Sequence, residues 1–379
     1  MREKGLSRKQ ILAKLNQAHA KDLNYKDGKI LCSMCTTPHP AAKRAHAIFA
    51  ESNLGDPGLF PGSAELEHEV VASLAELMHC EVAAGFIVSG GTEANLLALW
   101  TARNQAGVAE PELVLPESTH FSFDKISNLL KIKPVFAKLD STFRVDAASV
   151  ERLVTKNTIA IVGNAGSSEL GAIDPMAELS EIAQRRGVHL HVDAAFGGLV
   201  LPFLKELDYN VADFDFQLKG VASLTVDPHK MGLATVPAGG VLFRSPKLLE
   251  GIGTETPYLT EPCQYTFVGT RSGASAAATW AAVNSLGKDG YRKLVKQCMQ
   301  VTTCLFDGLE NAGFEVLLRP QMNIVAFRSA NAQVLTQKLR QRGWFVSYIP
   351  RLDCVRVVVM PHTKKSHVDA FQKCLAELG

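Results

Sequence analysis

Neither sign of charge dominates this sequence. Forty Lys and Arg face 38 Asp and Glu, a formal +2, which gives no electrostatic case for a nucleic acid or a membrane surface as partner. Long apolar runs are missing too. A bilayer span needs about 20 such residues, and "FGGLVLPFL" (196–204), among the longest stretches, already carries Gly and Pro. The first residues, "MREKGLSRKQ", are charged with no apolar segment behind them, unlike a secretory signal. The cytoplasm is the expected location. A disulfide framework is also absent: eight cysteines are scattered through 379 residues, as in a chain that keeps its thiols reduced. Cys32 and Cys35 form a single CxxC with His39 and His46 downstream. Without a second CxxC or a strand-to-helix setting, free thiols are the reading preferred over zinc or redox chemistry, and no metal is expected. There is no internal repeat, low-complexity tract or long linker.

What is present is an ordinary globular composition, 46% hydrophobic and 21% charged, in a chain long enough for two domains. Ser7 and Gln10 have capping-box spacing ahead of Ile11, Leu12 and Leu15, so a short amphipathic helix opens the chain. The turn-rich "NLGDPGLFPGS" (53–63) ends at Ser63, an expected N-cap for a helix carrying Leu66, Val70, Leu74 and Leu77. Apolar strand-like runs then alternate with helical stretches. "GFIVSGG" precedes a helix from Thr92 to about Gln105, "TIAIVGNAG" precedes one over 175–186, and "VHLHVDAA", "SLTVDPH" and "GGVLFRS" follow. Such alternation predicts an α/β domain with a mostly parallel sheet covered by helices. In the last hundred residues "NIVAFRS", "WFVSYI" and "CVRVVVM" surround one helix and precede another, capped by Thr363, which reads as a smaller α+β domain. The expected division is an N-terminal helical segment (1–55), a large domain (56–275) and a small one (276–379).

Ligands of parallel sheets bind at the carboxyl ends of strands, and four polar features fall there. In "SGGTEAN" (89–95), Gly90 and Gly91 allow close backbone approach and Thr92 opens a helix, a good phosphate site. No Lys follows the glycines, so this is not a Walker loop; a plain strand-to-helix turn reads the same way. Asp193 ends an apolar strand with few neighbours to solvate it, and a buried carboxylate needs a partner such as a protonated ring nitrogen. His120 lies on a strand-to-helix loop in "ESTHFSFDK". Lys230 closes "LTVDPHK", where a solvated surface ammonium is the commonplace alternative. Phosphate cradle, imidazole, buried acid and lysine together fit pyridoxal 5′-phosphate: the lysine bonds to the aldehyde and the acid keeps the ring nitrogen protonated.

The stretches "NLGDPGLFPGS", "SGGTEANLLAL", "THFSFDK", "SSELGAID", "HVDAAFGGLVLPF", "DPHKMG", "PYLTE", "GTRSGASAA" and "VRVVVMPH" resemble the group II decarboxylases among fold-type I pyridoxal-phosphate enzymes, over nearly the whole chain. The likeness is closest to archaeal L-tyrosine/L-aspartate decarboxylases. It implies Lys230 as the cofactor lysine, with His229, Gly91 and Thr92 holding the phosphate. Asp193 then pairs with the ring nitrogen, Ala195 packs beneath the ring and His120 stacks above it. Ser168 stands where the family has a threonine, since this chain reads "GSS" for "GTT". Ser223 is a further expected polar contact, and Thr270 reaches the phosphate of a partner subunit in a homodimer with shared sites. Phe60 and Pro61 are implied substrate-pocket residues.

Two roles are hypotheses from position. Tyr258, in the Gly- and Thr-rich 251–260 stretch suited to a mobile lid, is the candidate proton donor to Cα, against a tyrosine that only packs on its loop. Arg356 alternates with apolar neighbours and suits a substrate carboxylate, against an interdomain salt bridge. The implied reaction is α-decarboxylation of an L-amino acid: tyrosine to tyramine, for a methanofuran-type pathway, or aspartate to β-alanine, for coenzyme A synthesis. A carbon–carbon lyase or a cysteine-handling transferase would use the same cofactor residues.

Overall fold

The computed structural model describes residues 1–82 and 84–378. Seven strands form the main sheet: β1 (Ala84–Val88), β2 (Glu112–Pro116), β3 (Lys133–Ala137), β4 (Thr158–Asn164), β5 (His189–Asp193), β6 (Val221–Val226) and β7 (Gly239–Phe243). Their order is β1-β7-β6-β5-β4-β2-β3, and only β7 runs against the rest. The mostly parallel sheet expected from the apolar runs is therefore present. Every residue of β4 is buried, because alternate side chains leave opposite faces and both faces are covered. Ile161 joins one core with Leu179, Val192 and Met299, whereas Ala160 and Val162 join another with Leu99, Phe123 and Ile126.

The helices up to the end of this sheet are α1 (Arg8–His19), α2 (Pro40–Ile48), α3 (Pro61–Leu77), α4 (Gly91–Ala106), α5 (Ser122–Leu130), α6 (Ala147–Leu153), α7 (Met176–Arg186) and α8 (Leu201–Glu206). A two-stranded hairpin, β8 (Thr254–Glu255) with β9 (Cys263–Gln264), precedes α9 (Gly273–Asn311), which is interrupted at Gly287. An antiparallel sheet of order β10-β12-β11 follows, made from β10 (Ile324–Phe327), β11 (Ser347–Ile349) and β12 (Cys354–Val358), with α10 (Ala332–Gln341) and α11 (Lys365–Leu378). Phe327, Val355, Val357, Phe371 and Leu375 form its core. None of the described helices is long and apolar enough to cross a membrane.

Two expected caps are corrected. α3 starts at Pro61 rather than after Ser63. Proline fits the first helical position, where its missing N–H costs nothing, so Ser63 lies inside the helix and is buried. Thr363 does not cap α11, because its buried hydroxyl has no hydrogen-bond partner. The Ser7–Gln10 capping box forms as expected, yet α1 buries none of its residues, and Ile11, Leu12 and Leu15 are exposed.

Candidate active site

Beyond the carboxyl ends of β1, β4, β5 and β6 lies a cleft of about 290 Å³. Gly91, Thr92, His120, Ser168, Asp193, Ala195, His229 and Lys230 all line it. Residues from 91 to 230 thus converge because parallel strands deliver their following loops to one edge.

The loop after β1 turns into α4 through Gly90, whose φ of 140° suits only glycine. Gly91 is needed for space: a Cβ there would lie 2.8 Å from Asp227 Oδ2 and 3.3 Å from the Ala195 methyl. The first N–H groups of a helix have no partner within it, so this end of α4 offers donors to an anion. On the same turn Glu93 caps the loop, its Oε2 accepting from the Ser89 N–H at 2.8 Å and its hydroxyl at 2.6 Å.

Asp193, the last residue of β5, receives the Ala195 N–H at 3.1 Å and Asn95 Nδ2 at 3.0 Å. On the loop before α5, His120 Nδ1 accepts the Ser122 N–H at 3.2 Å. Burial lowers the pKa of this imidazole below that of an ordinary histidine, more than Asp193 raises it, which favours a neutral ring. Lys230 sits on the turn after β6, with Nζ 2.9 Å from Asp227 Oδ2. Burial opposes its ammonium, but the Asp227 and Asp193 carboxylates prevail and raise its pKa above the usual lysine value. His229 Nδ1 is engaged by the Ala238 backbone, which leaves Nε2 facing Asp227 at 3.9 Å.

Other expected residues lie elsewhere. Ser223 is a correction: it is fully buried behind the cleft, its hydroxyl 2.6 Å from His189 Nε2 and 2.8 Å from His191 Nδ1. Ser223 and Thr225 share the sheet face of Asp193, the face α4 covers, but Ser223 pairs with His191, three residues short of the end of β6, and that depth withholds it from the ligand edge. Arg356 is just outside the cleft. Its guanidinium donates to the carbonyls of Ser168 and Cys32 and to the Ser347 hydroxyl, joining three segments, while Nε has no partner. Pro61, on a separate groove of about 740 Å³, faces Thr256, Leu259 and Arg271. Phe60 adjoins it, Tyr258 is 87% exposed on the hairpin loop, and Thr270 is exposed beside Arg271. None of these four lines the cleft of its own chain. Among the described residues no cluster of three His, Cys, Asp or Glu is arranged for a metal.

Asn95, Asn164 and Asp227 also line the cleft and were not singled out from sequence. Asn95 had a readable signal, since it lies one helical turn after Gly91 and faces the same way. Asp227 had another, three residues before a lysine on a turn.

Residues 53–330 match the family model described as the pyridoxal-dependent decarboxylase conserved domain. The chain belongs to this family. It is 50% identical over 355 residues to a protein of Methanothermobacter thermautotrophicus named probable L-tyrosine/L-aspartate decarboxylase, covering 93% of this chain and 98% of the relative. To the L-aspartate decarboxylase of Thermococcus kodakarensis it is 46% identical over 380 residues, covering 100% and 98%. Among solved structures, the sphingosine-1-phosphate lyase of Burkholderia pseudomallei superimposes with a TM-score of 0.92 at 30% identity, covering 100% of this chain and 91% of that one. The fold is that of the fold-type I pyridoxal-phosphate enzymes, and the chain is a pyridoxal-phosphate-dependent amino-acid decarboxylase.

The cleft fits that cofactor. A side chain at Gly91 would fill the cradle at the start of α4. The donor set offers helix N–H groups for a phosphate, a carboxylate for a ring nitrogen and an amine for an aldehyde.

Proposed function

We propose that this chain removes the α-carboxylate of L-aspartate or L-tyrosine as CO2, giving β-alanine or tyramine. The observation that carries the reading is the convergence of Lys230, Asp193 and His120 on one cleft, in a chain 46–50% identical to relatives whose names state these substrates. When bound, pyridoxal phosphate supplies an aldehyde for a lysine amine and a ring that accepts the electron pair freed at Cα. Lys230 would hold the aldehyde carbon, Asp193 the ring nitrogen, and Gly91, Thr92 and His229 the phosphate. Neutral His120 would lie against the ring without adding a charge. Arg356 would draw a substrate carboxylate toward Ser168, so Arg356→Leu is expected to raise KM while the cofactor stays bound.

The working unit in this reading is a homodimer with shared sites, in the cytoplasm. Its support is that Phe60, Pro61, Tyr258 and Thr270, all expected at a cleft, are away from their own and lie along or beside one groove. The exposed apolar residues of α1 add a surface that a second copy would cover. Tyr258 would then protonate Cα in the partner's cleft.

Carbon–carbon lyase chemistry is the second reading, supported by the lyase superposition. One assay separates the two: each common L-amino acid is offered singly to cofactor-loaded protein, and CO2 and amine are both quantified. β-Alanine or tyramine above a Lys230→Ala control is the expected result. Neither product, with the cofactor's visible absorbance band intact, would favour the lyase.

A further inference from the structure

Behind Asp193 lies a run of buried polar groups that the reaction does not itself require. Asn95 is 1% exposed, and His191, Ser223 and Thr225 are fully buried. Their hydrogen bonds form one connected path. Asn95 Nδ2 is 3.0 Å from Asp193 Oδ2, and Asn95 Oδ1 is 3.0 Å from His191 Nε2 and 2.7 Å from Thr225 Oγ1. His191 Nδ1 is 2.8 Å from Ser223 Oγ, which is 2.6 Å from His189 Nε2.

The proton positions follow from one end. An ionised carboxylate only accepts, so the amide nitrogen of Asn95 must face Asp193 and its oxygen must face His191. An amide oxygen also only accepts, so His191 Nε2 carries a proton. Burial pushes this imidazole down to about 4, so it is neutral and Nδ1 is bare. The Ser223 hydroxyl therefore donates to Nδ1. Its single proton being used, it accepts from His189 Nε2–H. Thr225 donates to the same Asn95 oxygen, and Phe123 packs beside the His191 ring at 6.3 Å between centroids. Every donor points toward Asp193. Reversing any one would set two acceptors or two protons face to face in a dry interior.

We propose that His191 is a positioning residue, held as the neutral Nε2–H tautomer in a one-way chain, His189 to Ser223 to His191 to Asn95, that donates into Asp193. The chain fixes that carboxylate in orientation, and hydrogen bonds in series polarise one another. Together with the Ala195 N–H, it gives each Asp193 oxygen one protein donor. Capacity remains on each for a protonated ring nitrogen. The inference depends on the cofactor and is independent of which amino acid is decarboxylated.

Two measurements test it, neither needing turnover. In protein labelled with 15N-histidine, with His191 assigned by signal loss in His191→Gln, nitrogen NMR is expected to show protonated Nε2 and bare, hydrogen-bonded Nδ1 at pH 7, with and without pyridoxal phosphate. Nδ1–H, or a doubly protonated ring, would overturn the proposal. The second is cofactor affinity. His191→Gln retains an N–H donor near the Nε2 position and should bind pyridoxal phosphate within a few-fold of wild type, whereas His191→Leu should weaken it at least tenfold. A ring that merely fills space would be lost alike in both variants, and equal affinities would reject the positioning role.

Discussion

Lys230 and Asp227 form an ion pair at 2.9 Å in which the carboxylate is 2% exposed and its second oxygen has no partner. The sequence places them three apart on a turn whose backbone closes from Lys230 N–H to the Asp227 carbonyl at 3.0 Å. Asp227 favours the charged lysine, but only a neutral amine attacks an aldehyde. Removing the carboxylate should therefore release the amine at lower pH. In Asp227→Asn, the midpoint for pyridoxal-phosphate uptake by cofactor-free protein should fall by about one pH unit, the size expected for loss of a close opposite charge. Stopped-flow absorbance across pH 8 to 12 reads this directly, and an unmoved midpoint would mean that Asp227 does not control Lys230.

Gly91 tests the phosphate end. An alanine methyl would meet Asp227 Oδ2 and the Ala195 side chain, both on the cleft wall. Neither has room to retreat, since Asp227 is tied to Lys230 and Ala195 N–H to Asp193. Gly91→Ala should fold, with unchanged far-ultraviolet circular dichroism, but bind pyridoxal phosphate about tenfold or more weakly, a penalty of about 1.4 kcal/mol or more. Wild-type affinity would show that the cradle has slack.

These two residues also mark what the sequence discloses. Gly91 is legible as a place for close approach at a helix start, though a plain strand-to-helix turn has the same sequence; the crowding by Asp227 and Ala195 separates the two. Lys230, Asp193 and His120 become legible only jointly, as each ends a separate strand or loop and only the parallel sheet brings them together. Ser223 was misread for a geometric reason: it shares the sheet face of Asp193 but lies three residues before the end of β6, and depth below the strand end keeps it from the cleft. Ser63 and Thr363 were misread because a hydroxyl near a helix start caps only when the backbone turns there. Proline at 61 had already set the start of α3. The hairpin carrying Tyr258 and the segment around Phe60 lie away from the cleft of their own chain, a placement that spacing along the sequence does not reveal.

The buried histidines predict acid sensitivity. Burial lowers His191 to about 4 and His189 to about 3, the latter also by the neighbouring His191. In the unfolded chain both titrate near 6.5. Between these values the unfolded chain binds more protons, so stability is fully present above about pH 6.5 and falls as pH drops toward 4. By pH 5.5 the loss should be on the order of 1 kcal/mol per ring. Urea denaturation at pH 7.5 and 5.5 measures it. His191→Gln should lose less stability between the two pH values than wild type does, and an identical loss would place the acid sensitivity elsewhere.

Mixed dimers test the shared site. Suppose Tyr258 serves the partner's cleft. A Lys230→Ala chain then offers an intact Tyr258 to a Tyr258→Phe partner whose Lys230 is intact. One site of that hybrid has both groups and the other has neither. Random reassembly of equal amounts makes half the dimers hybrid, so activity should recover to about one quarter of wild type. Recovery requires subunit exchange, which differently tagged chains would report by co-purification. If Tyr258 acted within its own chain, or not at all, the hybrids would show no more than the mean of the two parents. The outcome turns on where a side chain 87% exposed in the single chain finds its contacts. A tyrosine so placed has no burial to gain from its own subunit, and its body and hydroxyl would both find use in the mouth of another.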